Sequence, residues 1–122
     1  MMQKENIILT KTFEFALGVI SFSEELEQMK KFVISKQILR SGTSIGANVR
    51  EAQNAESKKD FVHKMKIAAK EAEELEYWFE LCNHSKSYPS NENLLSELKV
   101  IQKILTKIIG TTKQKIIGTS AN

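Results

Sequence analysis

Apolar and polar positions divide the chain into four helical stretches. Between residues 57 and 86, Phe61, Met65, Ala68, Ala72, Leu75, Phe79 and Cys82 alternate steps of four and three without a miss, the signature of one helix face. Leu94, Leu98, Ile101, Leu105 and Ile108 repeat that spacing in a fourth helix, over about 91–109. A first helix, over about 6–29, is read with Phe13, Ala16 or Leu17, Ile20 and Leu26 inward and with Asn6 or Thr10 as its cap. The second, about 35–55, takes Ser35 as its N-cap, with Ile34 and Leu39 spaced as a hydrophobic staple.

The ends follow from local chemistry. Ser57, three residues before Asp60, opens the third helix with a weak capping box. Tyr88-Pro89 closes it, because the residue before proline avoids helical angles. Ser90 or Asn91 caps the fourth helix and Gly110 is its natural stop. Short connections favour antiparallel neighbours, so the expected fold is all-α, an antiparallel up-down-up-down four-helix bundle over residues 1–110. Lys107-Ile108-Ile109-Gly110-Thr111 recurs as Lys115-Ile116-Ile117-Gly118-Thr119, and residues 111–122 are expected to form a flexible tail.

The second helix carries a polar row beside its apolar one. Gln37, Ser41, Ser44, Asn48 and Glu51 follow steps of four and three, next to Ile34, Ile38, Ile45, Val49 and Ala52. Small residues at 41, 42, 44, 46 and 47 let another backbone come close, so this partly polar inner face reads as a packing and assembly surface. Helices two and three meet near residue 56, which places Arg40 beside Glu71 and Glu74, Gln37 beside Tyr77 and Trp78, and Asn48 beside Lys64.

Composition narrows the class. At 122 residues and 41% hydrophobic, the chain is one domain with its own core. No run of about 18 apolar residues is present, so no membrane span is expected. Glu5 and Asn6 stand where a secretory signal would be apolar, and the single cysteine, Cys82, fits a buried thiol in a reducing cytoplasm.

Charge is unevenly placed. From Lys58 to Lys70 the third helix holds five lysines (58, 59, 64, 66, 70) and only Asp60 as an acid, whereas Glu71, Glu73, Glu74, Glu76 and Glu80 follow without a base. The helix dipole favours the reverse order by about 0.3–1 kcal/mol per terminal charge. In the antiparallel bundle one end gathers twelve bases, Lys4 among them, against five acids including Glu5, a balance of +7; the other holds six against ten, −4. Arg50, Lys58, Lys59, Lys64, Lys66 and Lys107 are the candidate nucleic-acid contacts on that basic pole. Complementary association between copies is the other reading. No base-reading motif is visible, so binding to RNA or DNA would be phosphate-driven and salt-sensitive.

Catalysis finds no support. A di-iron bundle needs two Glu-x-x-His motifs, and Asp60-x-x-His63 is the only acid–histidine pair at that spacing. Glu71 and Glu74 facing Arg40 read as an ion pair, and no phosphate loop, Ser-His-Asp or Cys–His arrangement is present. The expectation is no enzyme, no metal and no cofactor.

The block Gln37-x-x-Arg40-Ser41-Gly42-Thr43-Ser44-Ile45-Gly46-Ala47-Asn48-Val49-x-Glu51-Ala52, followed by Ser57-Lys58-x-Asp60-Phe61, Lys64, Lys70-Glu71, Glu74 and Tyr77-Trp78, closely resembles the bacterial four-helix-bundle proteins encoded in intervening sequences of 23S rRNA genes. It is also similar to the accessory variability proteins of diversity-generating retroelements. The resemblance implies an up-down bundle, a homo-oligomer (a pentameric ring in several members) and, on the retroelement side, a basic surface for nucleic acid and a partner enzyme. Ser44, Asn48, Glu51, Glu71, Glu74 and Trp78 occupy characteristic family positions. With Gln37, Arg40 and Ser41, they are read here as packing and assembly residues.

Overall fold

The structure, a computed structural model, describes residues 6–121 and the side chains of 7–118. Its helices are α1 (Asn6–Gln28), α2 (Phe32–Ala52), α3 (Lys58–His84) and α4 (Glu92–Ala121), with no strand among the described residues. Each helix packs on its neighbours in the cyclic order α1–α2–α3–α4–α1, which is the up-down-up-down bundle. Lys4 and Glu5 lie outside the described residues, as does the Asn6 side chain.

The core row of α3 is as the spacing predicts, from Met65 to Cys82, with Phe61 half-buried at its edge and Val62 buried beside it. In α4, Leu94, Leu98, Ile101 and Leu105 are buried and Ile108 is half-buried. The first helix differs from expectation. It buries Ile8, Phe15, Val19, Phe22 and Leu26 and turns Phe13, Leu17 and Ile20 outward, leaving Ala16 half-buried. Two apolar rows compete on this helix, and the inner one carries the small polar residues that fit α2. Thr12 lies against Gly46, Val19 against Gly42, and Ser23 against Ser35.

That last contact explains the second difference. Ser35 does not cap α2, which starts three residues earlier, at Phe32, with Lys31 preceding it and no side-chain cap. Ser35 is buried instead: its hydroxyl donates to the Ser23 carbonyl (2.8 Å), and the two hydroxyls lie 2.7 Å apart. The staple loses its place with the cap, leaving Leu39 exposed and Ile34 half-buried. Thr10 lies inside α1 and caps nothing.

The α1–α2 turn closes with paired bonds, Lys31 N–H to Leu26 C=O (2.8 Å) and Lys30 N–H to Glu27 C=O (2.9 Å). This is a Schellman motif with Lys30 at φ 63° in the left-handed position that glycine normally fills. Lys30→Gly is therefore expected to raise stability by about 0.5–1 kcal/mol, the relief of left-handed strain exceeding the chain entropy lost. Urea denaturation reads the change; no gain would show that the strain is already relieved.

At α3 the Ser57 side chain accepts from the Asp60 N–H (3.0 Å). The Asp60 carboxylate accepts from Glu56 N–H (3.1 Å), so the box closes one residue earlier than the standard one. Asn91 caps α4 through Leu94 N–H (3.0 Å). Gly110 does not end α4, and residues 111–121 continue the helix instead of forming the expected tail. The reason is packing: Ile108 and Ile109 lie against the core, Thr112 and Ile116 stay half-buried, and Lys99 and Gln102 reach Glu76 (3.0 Å each), so α4 continues past Gly110 beside α3.

Candidate nucleic-acid interface

The basic end resolves into two groups. On α3, Lys59, Lys66 and Lys70 are exposed at spacings of seven and four, which is one face. Lys113 of α4 lies beside Lys66, and the neighbouring ammonium pushes the Lys113 ammonium below the ordinary lysine range. Lys103 and Lys107 continue the surface along α4, in a shallow depression shared with Lys99, Gln102 and Thr106. Lys99 is tied to Glu76 (3.0 Å). The Glu76 carboxyl is held low by Gln102 first and then by Lys99. Lys58, Lys59, Lys66, Lys70, Lys103 and Lys107 make no ion pair among the described residues.

Two candidates fall outside this surface. Lys64 is half-buried and pairs with Glu51 (3.4 Å), one turn from Asn48, so it is not a free cation. Arg50 is exposed but lines the groove between α1 and α2. Lys113 was visible only as part of the charge count, because its position depends on α4 passing Gly110.

The polar row of α2 is less buried than its spacing implies. Only Ser41 is fully enclosed; Gln37, Ser44 and Asn48 are half-buried and Glu51 is exposed. Each short side chain returns to its own helix: Ser41 to the Gln37 carbonyl (2.7 Å), Ser44 to that of Arg40 (2.6 Å), Asn48 to that of Ser44 (2.8 Å). The row therefore borders α3 without leaving a buried polar side chain unpartnered among the described residues.

Arg40 sits where the antiparallel register puts it. Its Nη1 donates to Glu71 (3.1 Å) and its Nη2 to Glu74, whose Oε2 also accepts from the Trp78 indole (3.2 Å). These bonds, the indole's first and the guanidinium's second, keep Glu74 below the usual carboxylate range, and Glu74 in turn raises Arg40. A carboxylate so held is a poor proton donor near neutrality. The cluster is partly exposed, so its worth to stability is small, and its effect is to fix how α2 registers on α3.

His63 is exposed, and Cys82 is buried, which pushes its thiol up. Among the described residues no group of three His, Cys, Asp or Glu side chains is placed to hold a metal ion, and no helix is long and apolar enough to cross a membrane.

Comparison with known proteins places this arrangement. A crystal structure of a protein of unknown function from the S23 ribosomal protein family, from Bacteroides thetaiotaomicron VPI-5482, is similar over 88% of this chain and 99% of its own, at 44% identity and a TM-score of 0.83. No curated protein matches. The family model of the 23S rRNA-intervening sequence protein matches residues 4–107, most of the sequence, and the chain belongs to that family.

Proposed function

We propose that this protein is a non-catalytic, cytoplasmic, oligomeric bundle that binds nucleic-acid phosphates along the face shared by the first half of α3 and the second half of α4. One observation carries the reading: Lys66 and Lys113 crowd each other on a surface where Lys59, Lys70, Lys103 and Lys107 make no ion pair among the described residues. Like charges gathered on one surface repel one another, the lysines that open α3 also oppose that helix's dipole, and a polyanion removes both costs. RNA is the first ligand to test, since the crystallised relative's family is described as ribosomal. Binding is sequence-independent in this reading, because helix-borne lysines grip phosphates as point charges and read no base edges.

The test is binding of nucleic-acid-stripped protein to generic RNA and duplex DNA over a salt series. Affinity is expected to fall linearly on logarithmic axes, and Lys59→Gln, Lys66→Gln and Lys113→Gln each to reduce the slope by about 1. Lys64→Gln, whose ammonium is engaged by Glu51, should leave the slope unchanged. Absence of binding at low salt would overturn the reading. It would favour a module that binds only proteins, a second reading supported by the outward apolar row Phe13, Leu17 and Ile20 and open to a separately encoded enzyme as partner.

A further inference from the structure

Charge changes sign along the side of α3 that borders α4. Lys59 and Lys66 stand seven residues apart there, and a further step of seven reaches Glu73, with Glu76 beyond it. The acidic part already has its partners, because Lys99 and Gln102 of α4 both reach Glu76, at 3.0 Å each. That contact sets the register of two antiparallel helices with the same rise per residue. From it, Ile108 comes level with Lys70, Lys113 with the turn that carries Lys66, and Gly118 with Asp60, next to Lys59. The lysine stretch of α3 is therefore walled by α4 only beyond Lys107.

Lys107 is also where the match to the family model ends, and 88% of this chain covers almost the whole crystallised relative. α4 continues to Ala121, so its last turns are additional to the matched bundle. From Ile108 to Ala121 they hold Lys113 and Lys115 and no acid. Lys113 shares the α3-facing side of α4 with Lys99, Gln102 and Thr106, at steps of three, four and seven. The rim between Thr106 and Lys113 is open, since a Cβ added at Gly110 would meet nothing within 4 Å.

We propose that this added length of α4 is the second wall of a furrow for one phosphodiester strand, with Lys59 and Lys66 gripping phosphates from α3 and Lys113 from α4. The inference rests on the nucleic-acid reading above and assigns affinity to a segment outside the matched bundle. Packed helices lie about 8–10 Å apart, so cations on both rims reach the same strand. Across the furrow the Lys66 ammonium pushes Lys113 below the ordinary lysine range, and a phosphate between them supplies the counter-charge. Glu73 ends the cationic stretch on the α3 side.

Binding of a generic single-stranded RNA to the full-length protein, followed by fluorescence anisotropy at 50 mM salt, tests the second wall. Lys113→Gln is expected to lower affinity about five- to tenfold, the loss of one phosphate contact. Adding Thr111→Lys to it restores the net charge but sets the cation about 160° round the helix, away from α3. This charge-moved variant is expected to bind as weakly as Lys113→Gln alone. Thr111→Pro keeps every lysine and breaks the helix just past Gly110, and a similar loss is expected. Wild-type affinity in the charge-moved variant or in Thr111→Pro would overturn the second wall and leave RNA binding to the remaining lysines. A wild-type protein that binds no RNA at low salt would overturn the nucleic-acid reading and this inference with it. Should Thr111→Pro disturb the bundle, seen as a lowered urea midpoint, the charge-moved variant decides alone, because both its positions are exposed.

Discussion

Phe79→Ala is expected to lower the free energy of unfolding by about 3–5 kcal/mol, the largest effect of any single truncation considered for this bundle. Phe79 is buried in the last two turns of α3 and meets Phe22 of α1 across the core, edge to face, with ring centroids 5.9 Å apart and planes at 73°. α1 and α3 are not neighbours in the bundle, so this aromatic contact spans its diagonal. Removing one ring therefore opens a cavity on that diagonal, between helices that are held apart by their other neighbours. The lost edge-to-face contact adds to the cost of the void. Urea denaturation is the measurement. A fall in midpoint with unchanged slope is expected, and a loss under about 2 kcal/mol would mean that the core collapses around the gap.

Gly42→Ala is the second large effect, and here two terms oppose each other. Alanine in place of glycine within a helix gains about 1 kcal/mol. A Cβ at residue 42, however, would stand 2.5 and 2.9 Å from the two Val19 methyls and 3.1 Å from the Val19 Cβ. Rotating the valine cannot clear all three, because its Cβ is fixed to the α1 backbone. The helices must separate at their tightest crossing, an overpacking cost of about 1–3 kcal/mol that outweighs the propensity gain. Net destabilisation is expected, with partial recovery in the Val19→Ala double variant, since the two residues share one contact. A stabilised single variant would show that α1 and α2 are not pressed together there. Gly46 is less strict, with Thr12 Oγ1 at 3.3 Å.

Helix number, order and most of the α3 and α4 core were readable because one unbroken row of apolar residues marks each inner face. The pairing of Arg40 with Glu71 and Glu74 was readable too, from chain reversal near residue 56 alone. The inner face of α1 was not. Phe13, Leu17 and Ile20 satisfy helical spacing as well as Phe15, Val19 and Phe22 do, and periodicity cannot choose between two apolar rows. A signal was present in length: the buried row continues to Leu26, whereas the other row meets Glu24. Ser35 misled because a serine before an apolar run looks like a cap, and only the facing Ser23 reveals it as a buried partner. The continuation of α4 through Gly110 depends on α3 lying alongside, a tertiary effect that overrides the local preference of glycine. Of the candidate contacts, the sequence identified the cations but not their neighbours. Lys64 is engaged by Glu51, Arg50 faces another side, and Lys113 joins Lys66.

That last pair has a consequence for protons. In the free protein the Lys66 ammonium discourages the charge on Lys113, so Lys113 gives up its proton more readily than a solitary lysine does. A phosphate settling between them reverses the preference and favours both charges. Binding then draws a proton from solvent whenever Lys113 is partly neutral, and by linkage affinity must weaken as alkalinity rises through its lowered titration range. Calorimetry in buffers of different ionisation enthalpy would count those protons, making the uptake itself a report of whether the phosphate has found this pair.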